Sequence, residues 1–116
     1  MKIAIDAMGG DFAPLEPVLG SIEAVRANDH IKVVLVGDKQ QIFNILEANN
    51  EAKNPRISVH HASEVIGMDE HPGQALRKKK DASIVVATAL VRDNHCDAVI
   101  APGSTGAAVA AALFGL

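Results

Sequence analysis

Apolar and polar positions alternate along this chain in blocks that predict strands and helices in turn. Four short apolar blocks predict β-strands, and they lie at 2–5, 31–37, 56–61 and 97–101. The second block, IKVVLVG, is nearly all apolar, which is typical of a strand covered on both faces. Between the strands, apolar residues recur at helical spacing, as Val18, Ile22 and Val25 do.

The helical segments follow the strands one by one, and they are predicted at 15–29, 38–50, 73–95 and 107–116. Asp38 has Gln41 three residues later, which is the spacing of a helix N-cap with its capping box. The third segment is long, and we expect a break near Asp81, whose carboxylate would cap the second part.

Strands that alternate with helices four times predict the α/β class, with an open, mostly parallel sheet and right-handed crossovers. The chain ends on the apolar run Phe114-Gly115-Leu116 without a cap. We therefore expect residues 1–116 to be the truncated, N-terminal part of a single, longer α/β domain.

Composition excludes several classes of function. A net charge of −3 and only three aromatic residues argue against a nucleic-acid-binding surface. The single cysteine, Cys96, excludes an intramolecular disulfide and fits a reducing compartment, and we expect it to be a small buried hydrophobe. Neither a signal peptide nor a complete membrane span is predicted.

Two loops at the carboxyl ends of predicted strands carry the candidate chemistry, because ligands of open α/β sheets bind there. The first loop holds Gly9 and Gly10 between Asp6 and Asp11, and two adjacent glycines indicate a very close backbone approach. The second loop, Pro102–Gly106, opens a predicted helix, so its N–H groups could bind an anion.

Each of these features also has a plain structural interpretation. Ser104 and Thr105 could donate to an anion, or one of them could simply cap the helix beside Gly103 and Gly106. The spacing matches neither a Walker motif nor G-x-G-x-x-G.

The carboxylates and the basic run leave similar alternatives open. Asp6 and Asp11 could bind a metal, act as acid and base, or fix the turn by accepting backbone N–H groups. The five histidines do not cluster, so a metal site is not predicted. The basic run Arg77–Lys80, with Lys79 and Lys80 as candidates, could hold an anionic substrate or an acidic protein partner, or could be a solvated helix face.

Four blocks together carry a resemblance to a known family. IAIDAMGGDFAP, LVGD, ALRKKKDASI and GSTGA occur in this order. The chain resembles the bacterial phosphate acyltransferases, the acyl-ACP:phosphate transacylases of phospholipid synthesis. The D-A-M-G-G-D block is the most specific of the four, and the resemblance spans the whole chain but only the N-terminal part of the family's longer proteins.

The resemblance implies an enzyme that transfers a fatty acyl group from acyl carrier protein to inorganic phosphate, giving acyl phosphate. It implies a fold like that of isocitrate and isopropylmalate dehydrogenases and phosphotransacetylase, and no cofactor. It also implies a cytoplasmic homodimer, peripherally associated with the membrane, whose product serves a membrane glycerol-3-phosphate acyltransferase.

The substrate and phosphate site that the resemblance suggests consists of Asp6, Gly9, Gly10, Asp11, Lys79, Lys80, Gly103, Ser104, Thr105 and Gly106. The catalytic residues are not assigned, and we expect no turnover from these 116 residues alone. Two alternatives remain open at this point: a non-catalytic fragment that binds an anion or the carrier protein, and a dehydrogenase-type α/β domain.

Overall fold

The computed structural model describes residues 1–67 and 69–103. Its elements are β1 (Lys2–Asp6), α1 (Leu15–Ala27), β2 (Lys32–Gly37), α2 (Lys39–Ala48), β3 (Ile57–His61), α3 (Pro72–Lys78), α4 (Ser83–Arg92) and β4 (Ala98–Ile100). The predicted alternation of strands and helices is confirmed over these residues. The helix predicted at 107–116 lies outside them.

The four strands form one open, all-parallel sheet in the order β3-β2-β1-β4, so the predicted α/β class is confirmed. The chain moves outward from β1 through β2 to β3 and then returns to the other side of β1 as β4. The gap between β1 and β4 is therefore the point where the strand order reverses, which is where open α/β sheets bind their ligands.

Helices cover both faces of the sheet, as a parallel sheet requires. On one face, Val18 and Ile22 of α1 and Leu46 of α2 pack against Leu35 of β2. Burial of one such side chain contributes about 1.5–3 kcal/mol. Leu15, which begins α1, does not take part in this packing and is half exposed.

The opposite face of the sheet packs against α4. Ala4 and Val34 alternate with the residues of the first core and meet Ala87 of α4. Cys96 is buried in the same cluster, which confirms the interpretation of this cysteine as a small buried hydrophobe. Burial also raises the pKa of its thiol.

Of the two helix caps predicted from the sequence, the one at Asp38 is confirmed and the one at Asp81 is wrong. Asp38 caps α2, and its Oδ1 accepts a hydrogen bond from the Gln41 N–H at 3.1 Å. Asp81 does not cap α4, because its carboxylate accepts hydrogen bonds from Ser63 instead. Ala82 occupies the N-cap position of α4 without a side-chain hydrogen bond. The long predicted helix is thus divided into α3 and α4.

Among residues 1–67 and 69–103, no helix has both the length and the apolar character needed to cross a membrane.

Candidate functional site

Two loops meet backbone to backbone at the carboxyl ends of β1 and β4. The strands are neighbours and run parallel, so Gly9 and the Pro102–Gly103 segment lie at the same edge of the sheet. A Cβ atom at Gly9 would overlap the carbonyl oxygen of Pro102 and lie 2.8 Å from its carbonyl carbon. The close approach that the glycine pair predicted is therefore an approach to the chain's own second loop.

The two adjacent glycines are required for different reasons. Gly10 has a φ of +92°, a left-handed conformation that favours glycine, and a Cβ there would meet nothing within 4 Å. At Gly9 the constraint is space alone, because a side chain there would collide with the Pro102 backbone. Gly103 combines both constraints, because its φ is +106° and its Cβ would lie 2.5 Å from the Gly10 nitrogen.

The end of β2 also contributes to this edge. A Cβ at Gly37 would lie 2.5 Å from Cγ and 2.7 Å from Sδ of Met8. The glycine of the L-V-G-D block thus leaves room for Met8, which follows β1. The ends of three neighbouring strands are fixed against one another by these contacts.

A pocket of about 360 Å³ opens at this edge of the sheet. It is lined by Asp6, Met8, Gly9, Gly10, Asp11, Val65, Ile66, Gly67, Asp69, Ile84, Ala101 and Pro102. The first loop was expected here from the sequence. Residues 65–67 and Asp69 were not, because nothing in their own sequence indicates that they line the same pocket as the end of β1.

Asp6 is the buried acid of the pocket, with only 6% of its surface exposed. Its Oδ1 accepts a hydrogen bond from the Met8 N–H at 3.1 Å, so it does fix the turn. Burial raises the pKa of the Asp6 carboxyl, and the Ser83 hydroxyl and the Met8 N–H oppose that rise. Asp6 is therefore both a turn residue and a carboxyl that holds its proton more readily than usual.

Ser83 is a pocket neighbour that sequence reasoning missed. It begins α4 and is 1% exposed. Its Oγ acts on the pKa of Asp6, yet it does not reach hydrogen-bonding geometry with any group in the described part of the chain. A buried hydroxyl without a partner is unusual, and here it lies beside a buried acid.

The charge of the pocket is negative. Asp6, Asp11 and Asp69 all line it, whereas none of its described lining residues is a lysine, arginine or histidine. Asp11 is exposed at its mouth. No group of three histidine, cysteine, aspartate or glutamate side chains within the described ranges is arranged to hold a metal ion.

The basic run does not line this pocket. Lys79 is half-buried and forms an ion pair with Glu70, with 2.8 Å between Nζ and Oε2. Lys80 is exposed. Of the predicted substrate residues, the structure thus brings together Asp6, Gly9, Gly10, Asp11 and Gly103, whereas the predicted Ser104, Thr105 and Gly106 lie outside the described residues.

Comparison with known proteins gives the family. Residues 1–116, the whole chain, match the model of a family described as "Fatty acid synthesis protein". The chain belongs to this family. Its membership confirms the resemblance found in the sequence.

Curated relatives in this family carry the name phosphate acyltransferase. The protein from Desulfitobacterium hafniense is 49% identical over 116 residues, which is 100% of this chain and 34% of that protein. The protein from Heliobacterium modesticaldum is 52% identical with the same coverage. The protein from Francisella tularensis is 44% identical over 119 residues, covering 97% of this chain and 34% of the relative. The chain spans about a third of the length of the curated relatives it matches.

Proposed function

We propose that this chain forms one side of the active site of a phosphate acyltransferase that transfers a fatty acyl group from acyl carrier protein to inorganic phosphate. The product is acyl phosphate, an acyl donor for phospholipid synthesis. The observation that carries the proposal is the pocket at the switch point, bounded by the fixed glycine loops and the buried acid Asp6. The family and the names of the relatives support the reaction type.

The reaction requires an aligned nucleophile and a route for one proton. A phosphate oxygen attacks the thioester carbonyl carbon, a C–O bond forms, and the carbonyl electrons move to the oxyanion. The oxyanion then collapses, the C–S bond breaks, and the carrier thiolate leaves and takes up a proton. Alignment of phosphate on the thioester supplies much of the rate, and backbone N–H groups aimed at the oxyanion supply more.

Asp6 is suited to carry that proton. A carboxyl whose pKa is raised by burial keeps and transfers its proton at a higher pH than an ordinary aspartate does. In its neutral form Asp6 also donates a hydrogen bond, so it would contact a phosphate oxygen without charge repulsion. We assign Asp6 this proton-carrying role, and we assign Gly9, Gly10 and Gly103 the role of fixing the backbone around it.

The proposal also defines what the described pocket lacks. A phosphate dianion needs positive charge or several donors, and the described lining offers carboxylates and backbone groups. The hydroxyls of Ser104 and Thr105, Lys80, and the portion of the relatives beyond the length of this chain are the places where such donors are to be sought.

The partners follow from the same proposal. The acyl donor is acyl carrier protein, and the consumer of the product is a membrane glycerol-3-phosphate acyltransferase. We further propose a cytoplasmic homodimer that associates peripherally with the membrane.

A chimera tests the proposed reaction. Residues 1–116 are joined to the remaining residues of the Heliobacterium modesticaldum phosphate acyltransferase, which is 52% identical over this segment. The purified chimera is given acyl-ACP and phosphate, and acyl phosphate is trapped with hydroxylamine while thiol release is followed separately. We expect both products in equal amounts, dependent on phosphate.

Two controls define the outcome. An Asp6→Ala chimera should remain folded and lose most of the phosphate-dependent thiol release. Thiol release without acyl hydroxamate would indicate hydrolysis and contradict the proposal. If the folded chimera turns over neither substrate, while the 116-residue chain binds acyl-ACP, the segment is a carrier-binding module instead.

A further inference from the structure

One side of the pocket is held in part by an ion pair. Val65, Ile66 and Gly67, here called the wall segment, line the pocket together with the glycines of the first loop. Lys79 Nζ donates to the Val65 carbonyl oxygen at 2.8 Å and to Glu70 Oε2 at 2.8 Å. The same Glu70 oxygen accepts the Gly67 N–H at 2.6 Å. One lysine therefore holds both ends of the wall segment.

The surroundings of Glu70 favour its charged form, as an ion pair with Lys79 requires. The Lys79 ammonium and the Gly67 N–H hold the pKa of the Glu70 carboxyl below its usual value. Both side chains are about one-third exposed, so solvent screens the pair only in part. Hydrogen bonds between charged groups in such a setting are stronger than those between neutral groups.

The loop that contains the wall segment begins at residues 63–64, and these are held by contacts that do not involve Lys79. The Asp81 carboxylate accepts the Ser63 N–H at 2.9 Å and its hydroxyl at 2.6 Å. The Glu64 backbone bonds to Asp81 and to Ser83, in a short parallel bridge. Loss of Lys79 would thus leave the loop attached at 63–64 and loosen the wall segment. That segment would still have the packing of Ile66 and the bond from the Glu70 N–H to the Gly67 carbonyl oxygen at 3.2 Å.

The rest of the basic run behaves differently. Arg77, Lys78 and Lys80 are exposed and make no side-chain hydrogen bond to the residues that the structure describes, whereas Lys79 is half-buried. The pocket side of the wall segment presents Val65 and Ile66, which are apolar. This chemistry suits the acyl donor, with its aliphatic chain, better than it suits phosphate.

We propose that Lys79 is a positioning residue, which sets the wall segment against the acyl donor through Glu70 and does not itself bind an anion. The inference rests on the proposed function for its substrate. It separates Lys79 from the basic residues of the run that face solvent.

The kinetic test uses the same chimera with Lys79→Met, Lys79→Arg and Glu70→Gln. We expect Lys79→Met and Glu70→Gln each to raise KM for acyl-ACP by about fivefold, the effect of one partly exposed ion pair or ordinary hydrogen bond, and to leave KM for phosphate unchanged. Their effects should not add, because both variants break the same pair. Lys79→Arg should restore part of the loss. Lys53 is exposed and is distant in sequence from Lys79. Lys53→Met is therefore the matched charge control, and it should change neither KM.

The direction of the Glu70→Gln effect decides between two roles. If Lys79 binds phosphate or the acidic carrier protein directly, removal of its competitor Glu70 would lower KM or leave it unchanged. That result would overturn the proposal, and so would a selective rise in KM for phosphate in Lys79→Met.

A second readout does not depend on the enzyme activity. In the 116-residue chain, Lys79→Met should speed amide hydrogen exchange at Gly67 about fivefold or more, since the orientation of its acceptor Glu70 is lost. Lys53→Met should leave that exchange rate unchanged. Unaltered exchange at Gly67 in Lys79→Met would refute the positioning role, whereas an inactive chimera with faster Gly67 exchange would reject the proposed reaction and retain the role of Lys79.

Discussion

Replacement of Gly9 by alanine tests whether the contact between the two loops is as close as the structure has it. The added methyl group would overlap the Pro102 carbonyl oxygen and lie 2.8 Å from the carbonyl carbon, and real Cβ atoms essentially never approach other atoms within 3.0 Å. Both obstructing atoms belong to backbone, so no side-chain rotation relieves the overlap. The end of β4 must move away from β1, or the first loop must rebuild.

The expected cost follows from this geometry. Overpacking in a well-packed site costs about 1–3 kcal/mol. Because a rigid backbone must move, we expect a loss of free energy of unfolding near 3 kcal/mol, which corresponds to a fall in Tm of roughly 10 °C or more for a domain of this size.

Urea unfolding followed by far-UV circular dichroism measures the change. Gly20→Ala is the matched control, since Gly20 lies within α1 and a Cβ there meets nothing within 4 Å. That variant should gain up to about 1 kcal/mol, because alanine favours a helix more than glycine does. If Gly9→Ala unfolds at the same urea concentration as the unaltered chain, the two loops are not in backbone contact and the pocket has a different boundary.

Two further substitutions test the buried acid and the helix cap. The raised pKa of Asp6 means that its stabilising contribution is fully present below the unfolded pKa, about 3.9, and is lost as the pH rises through the folded value. Asp6→Asn should therefore gain free energy of unfolding relative to the unaltered chain as the pH rises from 4 to 7, and a difference that stays constant would contradict the burial of this carboxyl. Asp38→Ala should cost about 1 kcal/mol, through loss of the bond to the Gln41 N–H, and unchanged stability would show that this cap contributes nothing.

The parts of the fold that the sequence predicts are those determined by neighbouring residues. The apolar block at 31–37 predicts β2 because a covered strand needs no polar face, and β2 lies within the sheet with helices on both sides. The cap at Asp38 is predictable because its partner is three residues away. The glycine pair is informative because only a close approach or a left-handed φ requires glycine, and each requirement is met once.

The parts that the sequence does not predict depend on partners that are distant in the chain. Asp81 precedes a helix and would cap it in isolation, yet it bonds to Ser63, which is 18 residues away. Lys79 belongs to a run that resembles a solvated face, and its partner Glu70 is nine residues away in a loop without a pattern. Ser83 gives no signal at all, because its unpartnered state is a property of the packing around it.

The buried acid is the feature of this edge of the sheet that most supports the proposed function. An asparagine at position 6 would accept the Met8 N–H equally well and would avoid the cost of burying a charge near neutral pH. The fold therefore does not require an ionisable group at this position. The Ser83 hydroxyl beside it lies close enough to lower the pKa of Asp6 without reaching hydrogen-bonding geometry in the described structure. A buried carboxyl with a raised pKa and an adjacent buried hydroxyl, both beside the pocket at the switch point, are the features that support the proposed site.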